Sequence, residues 1–144
     1  MPTEITIVTD SDWAGEEVTR RSRGGGFEYE GKACIDSWAG LQASRARSNG
    51  ETEYAEMTNG ATRGTFTKNF LKEMQIEMMV TAAGDSTAAI GICSRLGAGR
   101  IRHLDARCLW LQAASKEVRT KEVPTSENVA DLMTKALGPT RHHN

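Results

Sequence analysis

At 144 residues the chain has room for one domain with a single sizeable core, and a formal net charge of −1 with an ordinary apolar fraction excludes a disordered tail. Hydrophobic residues make up 38%, with no apolar run long enough for a transmembrane helix and no basic-then-apolar leader, so a soluble globular domain without a membrane is expected. Cys34, Cys93 and Cys108 are odd in number and far apart, which gives no zinc spacing and predicts small buried hydrophobes in a reducing, intracellular setting.

Charge distribution says more than the sum. Basic residues gather in Arg20-Arg21-Ser22-Arg23, in Arg45-Ala46-Arg47 and from Arg95 to Arg102-His103, with the acids concentrated elsewhere. One such cluster is ordinarily a solvated loop; three in a small domain favour a polyanionic partner.

In chain order, Ile5, Ile7 and Val8 form a β-branched run that reads as a strand ending at Asp10 and Asp12. Residues 16–23 read as a loop. Gly24-Gly25-Gly26 lacks the Lys-Ser/Thr of a phosphate loop and reads as a flexible entry to a hairpin. Phe27 to Glu30 alternates, Gly31-Lys32 turns, and Ala33 to Trp38 returns. Residues 39–50 read as loop, with Ser48-Asn49-Gly50 leading into a helix over 51–75. On that helix Glu53, Met57, Gly60 and Gly64 share one face, and Phe66, Phe70, Leu71 and Met74 are expected to continue its apolar stripe. The two glycines predict close approach of the helix to a sheet, because each costs about 1 kcal/mol in a helix interior.

Met78 to Gly84 reads as a second buried strand, followed by Asp85. Ser86-Thr87 can cap a helix over 88–96, and a further helix is expected over 104–116. A short strand over 117–123 precedes a last helix opened by Pro124-Thr125-Ser126, with Val129, Leu132, Met133, Ala136 and Leu137 as its stripe. The order β-β-β-α-β-α-α-β-α predicts an α/β domain over 1–138, a frayed tail over 139–144, and a mixed sheet with helices on both faces.

Four acids stand out by position: Asp10 ends the first strand, Asp85 follows the fourth, Glu53 opens the long helix, and Asp131 lies early in the last helix. Singly, each is an ordinary turn, cap or surface acid. Jointly they converge if the first and fourth strands are neighbours. Carboxylates in contact repel unless a cation neutralises them, and all-oxygen ligands suit Mg²⁺ or Mn²⁺. Two such ions about 3.5–4 Å apart form the clamp for in-line phosphodiester cleavage.

Five ordered stretches now resemble one family: Val8 to Gly15, Gly50 to Tyr54, Asp85 to Ile90, Arg102 to Asp105, and Val123 to Lys135. They resemble the ribonuclease H domain of copia-type retrotransposon polyproteins, over essentially residues 5–138. The resemblance implies the RNase H-like fold, with three antiparallel strands and then two parallel ones. It implies cleavage of the RNA strand of RNA–DNA hybrids with two Mg²⁺ or Mn²⁺ ions, in a monomer associated with a reverse transcriptase in a parent polyprotein. The family's Asp-Glu-Asp-Asp set falls on Asp10, Glu53, Asp85 and Asp131, and leaves Asp12 outside it. Ser11, Asn49 and Thr87, adjacent to those acids, are candidates for the hybrid's backbone or 2′-hydroxyls, and Arg95, Arg100 and Arg102 for phosphates of its DNA strand. His103 reads as a structural residue. Two departures are a basic segment over 44–49 and Gly26 in place of an aromatic.

Two other readings share these residues. A strand followed by Asp-x-Asp also opens haloacid-dehalogenase-type phosphatases, where the first Asp is the nucleophile. Here Trp13-Ala14 follow instead of the Thr or Val that chemistry wants. The other is a non-catalytic RNase H-like connector of a retroelement polyprotein, which would require an intact set of acids to be inert.

Overall fold

The computed structural model describes residues 3–13, 20–42, 48–94 and 118–134. Five strands, β1 (Glu4–Asp12), β2 (Arg23–Glu30), β3 (Ala33–Leu41), β4 (Met79–Gly84) and β5 (Val118–Glu122), form one sheet in the order β3-β2-β1-β4-β5. β1 pairs antiparallel with β2, and β2 with β3, while β4 runs parallel to both β1 and β5. The opening strand is therefore the centre of the sheet.

Helix α1 (Asn49–Glu73) begins where Ser48 Oγ accepts the Glu51 N–H at 3.2 Å, and it crosses β1 and β4. Its glycines set the distance. A Cβ on Gly60 would stand 2.5 Å from Ile7 Cγ2, and one on Gly64 would stand 2.9 Å from Val80 Cγ1. Ile5, Ile7, Tyr54, Met57, Ala61, Val80 and Ala82 pack between helix and sheet as the core. Helix α2 (Thr87–Ser94) follows β4, with Ser86 Oγ accepting the Ala89 N–H at 3.2 Å.

Gly24, Gly25 and Gly26 are not a flexible entry but strand residues, paired with Ser11, Asp10 and Thr9. Their thinness admits neighbours on both faces of β2. A Cβ on Gly24 would collide with the Glu56 carboxylate of α1, while one on Gly25 would lie 2.5 Å from Met133 Cβ on the opposite face. Space that a side chain at Gly26 would take is filled by the Trp38 indole. Trp38 Nε1 in turn donates to Glu56 Oε1 at 2.7 Å. Helical segments thus cover both faces of the sheet, as expected.

Other expectations change in detail. β3 runs on to Leu41, so residues 39–41 are strand and not loop. Cys34 is exposed on this edge strand, contrary to a buried role. Phe66, Phe70 and Met74 do not extend the buried stripe: they are 74%, 60% and 57% exposed. Leu71 stands seven residues beyond Gly64 and keeps to the sheet-facing row, whereas Phe66 is two residues on, about 200° around the helix. The last helix is replaced, within the described residues, by two short 3₁₀ turns, Thr125–Glu127 and Val129–Met133. There Ala130 is buried and Val129 exposed, because Asn128 fixes the entry: its Oδ1 accepts the Ala130 N–H while its Nδ2 donates to the Thr9 carbonyl. The expected helix over 104–116 and the tail lie outside the described residues.

Candidate active site

Parallel pairing of β1 and β4 aligns Val8 with Ala83. Continuing that register by two residues brings Asp10 level with Asp85 at the same end of the sheet. Asp131 reaches them from the 3₁₀ turn on the face of Met133. One carboxylate oxygen from each of Asp10, Asp85 and Asp131 lies within 4.8 Å of the others, with Asp10 buried and the other two half-buried. Asp12 is not part of this group.

Glu53 comes from the opposite face, one turn into α1. Its Oε1 accepts the backbone N–H of Ser11 at 3.3 Å, and its Oε2 is buried with no hydrogen-bond partner among the described residues. Burial pushes its carboxyl up to about 8; the Asp10 and then the Asp85 carboxylates add to the rise, and hydrogen bonding from Ser11 opposes it. A glutamate this reluctant to ionise beside three gathered acids marks a concentration of negative charge that a bound cation would relieve. The donor set is all oxygen, which fits hard divalent cations. A spread of 4.8 Å needs only a small contraction for ligands at about 2.1 Å from Mg²⁺ or Mn²⁺.

Two hydrogen bonds hold this arrangement from the C-terminal side. Thr134 Oγ1 donates to Asp10 Oδ2 at 2.5 Å, and the Thr134 N–H donates to the Asp131 carbonyl at 3.3 Å. Neither Thr134 nor Asn128 was singled out by the sequence, since a polar residue within an apolar stripe carries no periodic signal.

The remaining candidates divide. Ser11 is buried beside Glu53, and Asn49 is exposed at the first residue of α1, one turn before Glu53. Thr87 is exposed, but its hydroxyl donates to Glu122 Oε1 at 2.8 Å, so it is held by the protein. Arg95, Arg100, Arg102 and His103 lie outside the described residues.

Comparison with known proteins agrees with the fold. No family model matches the chain. It is 32% identical over 137 residues to the retrovirus-related Pol polyprotein of transposon TNT 1-94 from Nicotiana tabacum, covering 90% of this chain and 10% of the polyprotein. It is 27% identical over 141 residues to the Pol polyprotein of transposon RE1 from Arabidopsis thaliana. Among solved structures it is similar to the N-terminal RNase H domain of a Mycobacterium tuberculosis protein, with a TM-score of 0.62 at 15% identity over 92% of this chain and 91% of that one. RNase H1 of Halobacterium salinarum gives 0.58 at 16% identity, covering 90% of this chain and 93% of that one.

The chain is a homologue of one segment of transposon Pol polyproteins, built on the ribonuclease H fold. The chain spans about a tenth of the length of the polyproteins it matches. A third structural neighbour, LC11-RNase H1, was solved in complex with an RNA/DNA hybrid, with a TM-score of 0.53 at 14% identity over 90% of this chain and 92% of that one. No described helix of the chain is long and apolar enough to cross a membrane.

Proposed function

We propose that this chain is the ribonuclease H of a copia-type polyprotein, hydrolysing the RNA strand of RNA–DNA hybrids with divalent metal. The observation that carries this reading is the convergence of Asp10, Asp85 and Asp131 within 4.8 Å, from three separate elements, beside the buried Glu53. The fold and the Pol homologues support the same activity.

In this reading Asp10, Glu53, Asp85 and Asp131 hold two Mg²⁺ or Mn²⁺ ions. When bound, such ions polarise the scissile phosphate, generate the attacking hydroxide and stabilise the leaving oxygen. The chain's own contribution is to fix the ligands. β1 and β4 deliver Asp10 and Asp85 as a level pair, the 3₁₀ turn brings Asp131, and α1 carries Glu53 to the Ser11 N–H. Asn49, exposed one turn before Glu53, can hydrogen-bond the RNA strand and its 2′-hydroxyls, whereas Ser11 is buried and serves the site through its backbone N–H to Glu53. Arg95, Arg100 and Arg102 are assigned to phosphates of the DNA strand, so Arg100→Ala should weaken hybrid binding and lower its salt dependence. A reverse transcriptase module of the same polyprotein is the natural partner, in an intracellular setting such as the cytoplasm or a retroelement particle.

The test is incubation with labelled RNA–DNA hybrid, double-stranded RNA and single-stranded RNA in Mg²⁺ or Mn²⁺. Cleavage of the hybrid alone, lost in Asp10→Asn and Asp85→Asn, is expected. Folded protein that binds hybrid and cuts nothing would establish the connector reading instead.

A further inference from the structure

Thr134 is buried at 5% exposure, and its hydroxyl is spent on one bond, to Asp10 across 124 residues of sequence. A hydroxyl facing an ionised carboxylate can only donate, and at 2.5 Å this is a short, charge-assisted bond. The same residue's N–H is bonded to the Asp131 carbonyl, closing the 3₁₀ turn that carries Asp131. One residue therefore binds to two members of the acid cluster, through its side chain and through its backbone. Its placement is itself anchored: Asn128, at the other end of the turn, donates to the carbonyl of Thr9, the residue before Asp10. Asp10 lies on the strand face opposite the Ile7–Gly60 contact, the face on which the turn ending at Thr134 docks.

We infer that Thr134 is a positioning residue for the cation site: its hydroxyl sets the orientation of the Asp10 carboxylate and couples docking of the C-terminal turn to assembly of the acid cluster. The inference rests on the metal-dependent reading above. Three carboxylates held within 4.8 Å repel one another, and a carboxylate free to rotate would turn away from its neighbours. A donor on one oxygen holds the other in place, as outer-sphere partners of metal ligands generally do. Water cannot substitute easily, because the bond is buried between strand and turn.

The experiment measures Mn²⁺ binding calorimetrically to the whole chain and to Thr134→Val, Thr134→Ser, Asp10→Asn and the double variant Thr134→Val/Asp10→Asn. Thr134→Val keeps the volume and removes the donor, and roughly 10- to 100-fold weaker Mn²⁺ binding is expected, the usual effect of losing such a partner. Thr134→Ser, which keeps the donor, recovers most of that loss. In urea unfolding of the metal-free protein, Thr134→Val costs less in the Asp10→Asn background than in the wild type, because its hydroxyl no longer faces a carboxylate, and that coupling distinguishes action through Asp10 from general destabilisation. Thr134→Ala removes the same hydroxyl and replaces Thr134→Val should that variant fail to fold. In hybrid cleavage, the Mn²⁺ concentration for half-maximal rate should rise while KM for the hybrid stays unchanged. Mn²⁺ binding that is lost in Asp10→Asn but retained in Thr134→Val overturns the positioning role alone. A wild-type chain that binds no Mn²⁺ overturns the nuclease reading and this inference with it.

Discussion

The Glu53 carboxylate accepts the Ser11 backbone N–H at 3.3 Å, so a side chain of α1 is tied to the strand residue that directly follows Asp10. That bond is too weak to compensate burial, and the Glu53 carboxyl is raised from an ordinary 4.5 to about 8, with the Asp10 and Asp85 charges contributing. In the folded chain Glu53 holds its proton up to about pH 8, whereas unfolded it releases it near 4.5. Between those values the folded state binds the extra proton, so stability falls as pH rises through the window and levels off above it. Urea midpoints measured in chelator from about pH 5 to about pH 8 should decline, and Glu53→Gln should flatten the decline. A bound divalent cation favours the ionised form and should also abolish it. A wild-type profile in chelator that is flat, or rises, would contradict the environment described for Glu53.

Asp85 tests the cluster from the other side. Two unit charges about 4.8 Å apart repel by about 3 kcal/mol at an effective dielectric of 20, and solvent at the half-buried Asp85 reduces this to about 1 kcal/mol. Asp85→Asn should therefore make the metal-free protein more stable by about 1 kcal/mol, while removing the rise in Tm that Mn²⁺ gives the wild type. Differential scanning calorimetry with and without Mn²⁺ reads both. Lower metal-free stability together with an undiminished Mn²⁺ shift would mean that Asp85 is a structural acid.

Gly60 fixes how deeply α1 sits on the sheet. An added Cβ would meet Ile7 Cγ2 at 2.5 Å and Thr9 Cγ2 at 2.8 Å, both buried β1 side chains with nowhere to turn. Alanine gains about 1 kcal/mol in helix propensity, but overpacking costs about 1–3 kcal/mol, so Gly60→Ala should be net destabilising. Since Thr9 precedes Asp10, the helix shift should also weaken Mn²⁺ binding. Gly64→Ala, with contacts of 2.9 Å and longer, should be milder. Urea unfolding of the two variants gives the comparison.

Much of this arrangement was legible in the chain. The succession of strands along the chain followed from β-branched runs and turn residues, and the parallel pairing of β1 with β4 meets the condition under which Asp10 and Asp85 come level. Gly60 and Gly64 signalled helix–sheet contact because nothing else would keep two glycines in a helix. Tertiary packing decided the rest. Gly24 to Gly26 look flexible in sequence, yet they are strand residues whose missing side chains make room for Glu56, Met133 and Trp38, none adjacent to them in the chain. Likewise Asn128 and Thr134 tie the C-terminal turn to β1 through partners more than a hundred residues away. The apolar residues late in α1 fit a helical stripe, but the face that meets the sheet is set by Gly60 and Gly64, and Phe66 and Phe70 fall off it.

That last difference has a measurable consequence. If Phe66 and Phe70 were core residues, removing either ring would cost about 3–5 kcal/mol. At 74% and 60% exposure they bury little, and glutamine is a good helix former. Phe66→Gln and Phe70→Gln should each change stability by no more than about 0.5 kcal/mol. Met57 is fully buried on the same helix among Ile5, Ile7 and Val80, and Met57→Ala should cost about 2–5 kcal/mol. Urea denaturation of the three variants side by side tests the rotation of α1 directly: a large loss at Phe66 with a small one at Met57 would mean that the helix presents its other face to the sheet. Glu53 would then point away from Ser11, and the acid cluster would lose the member that joins it from α1.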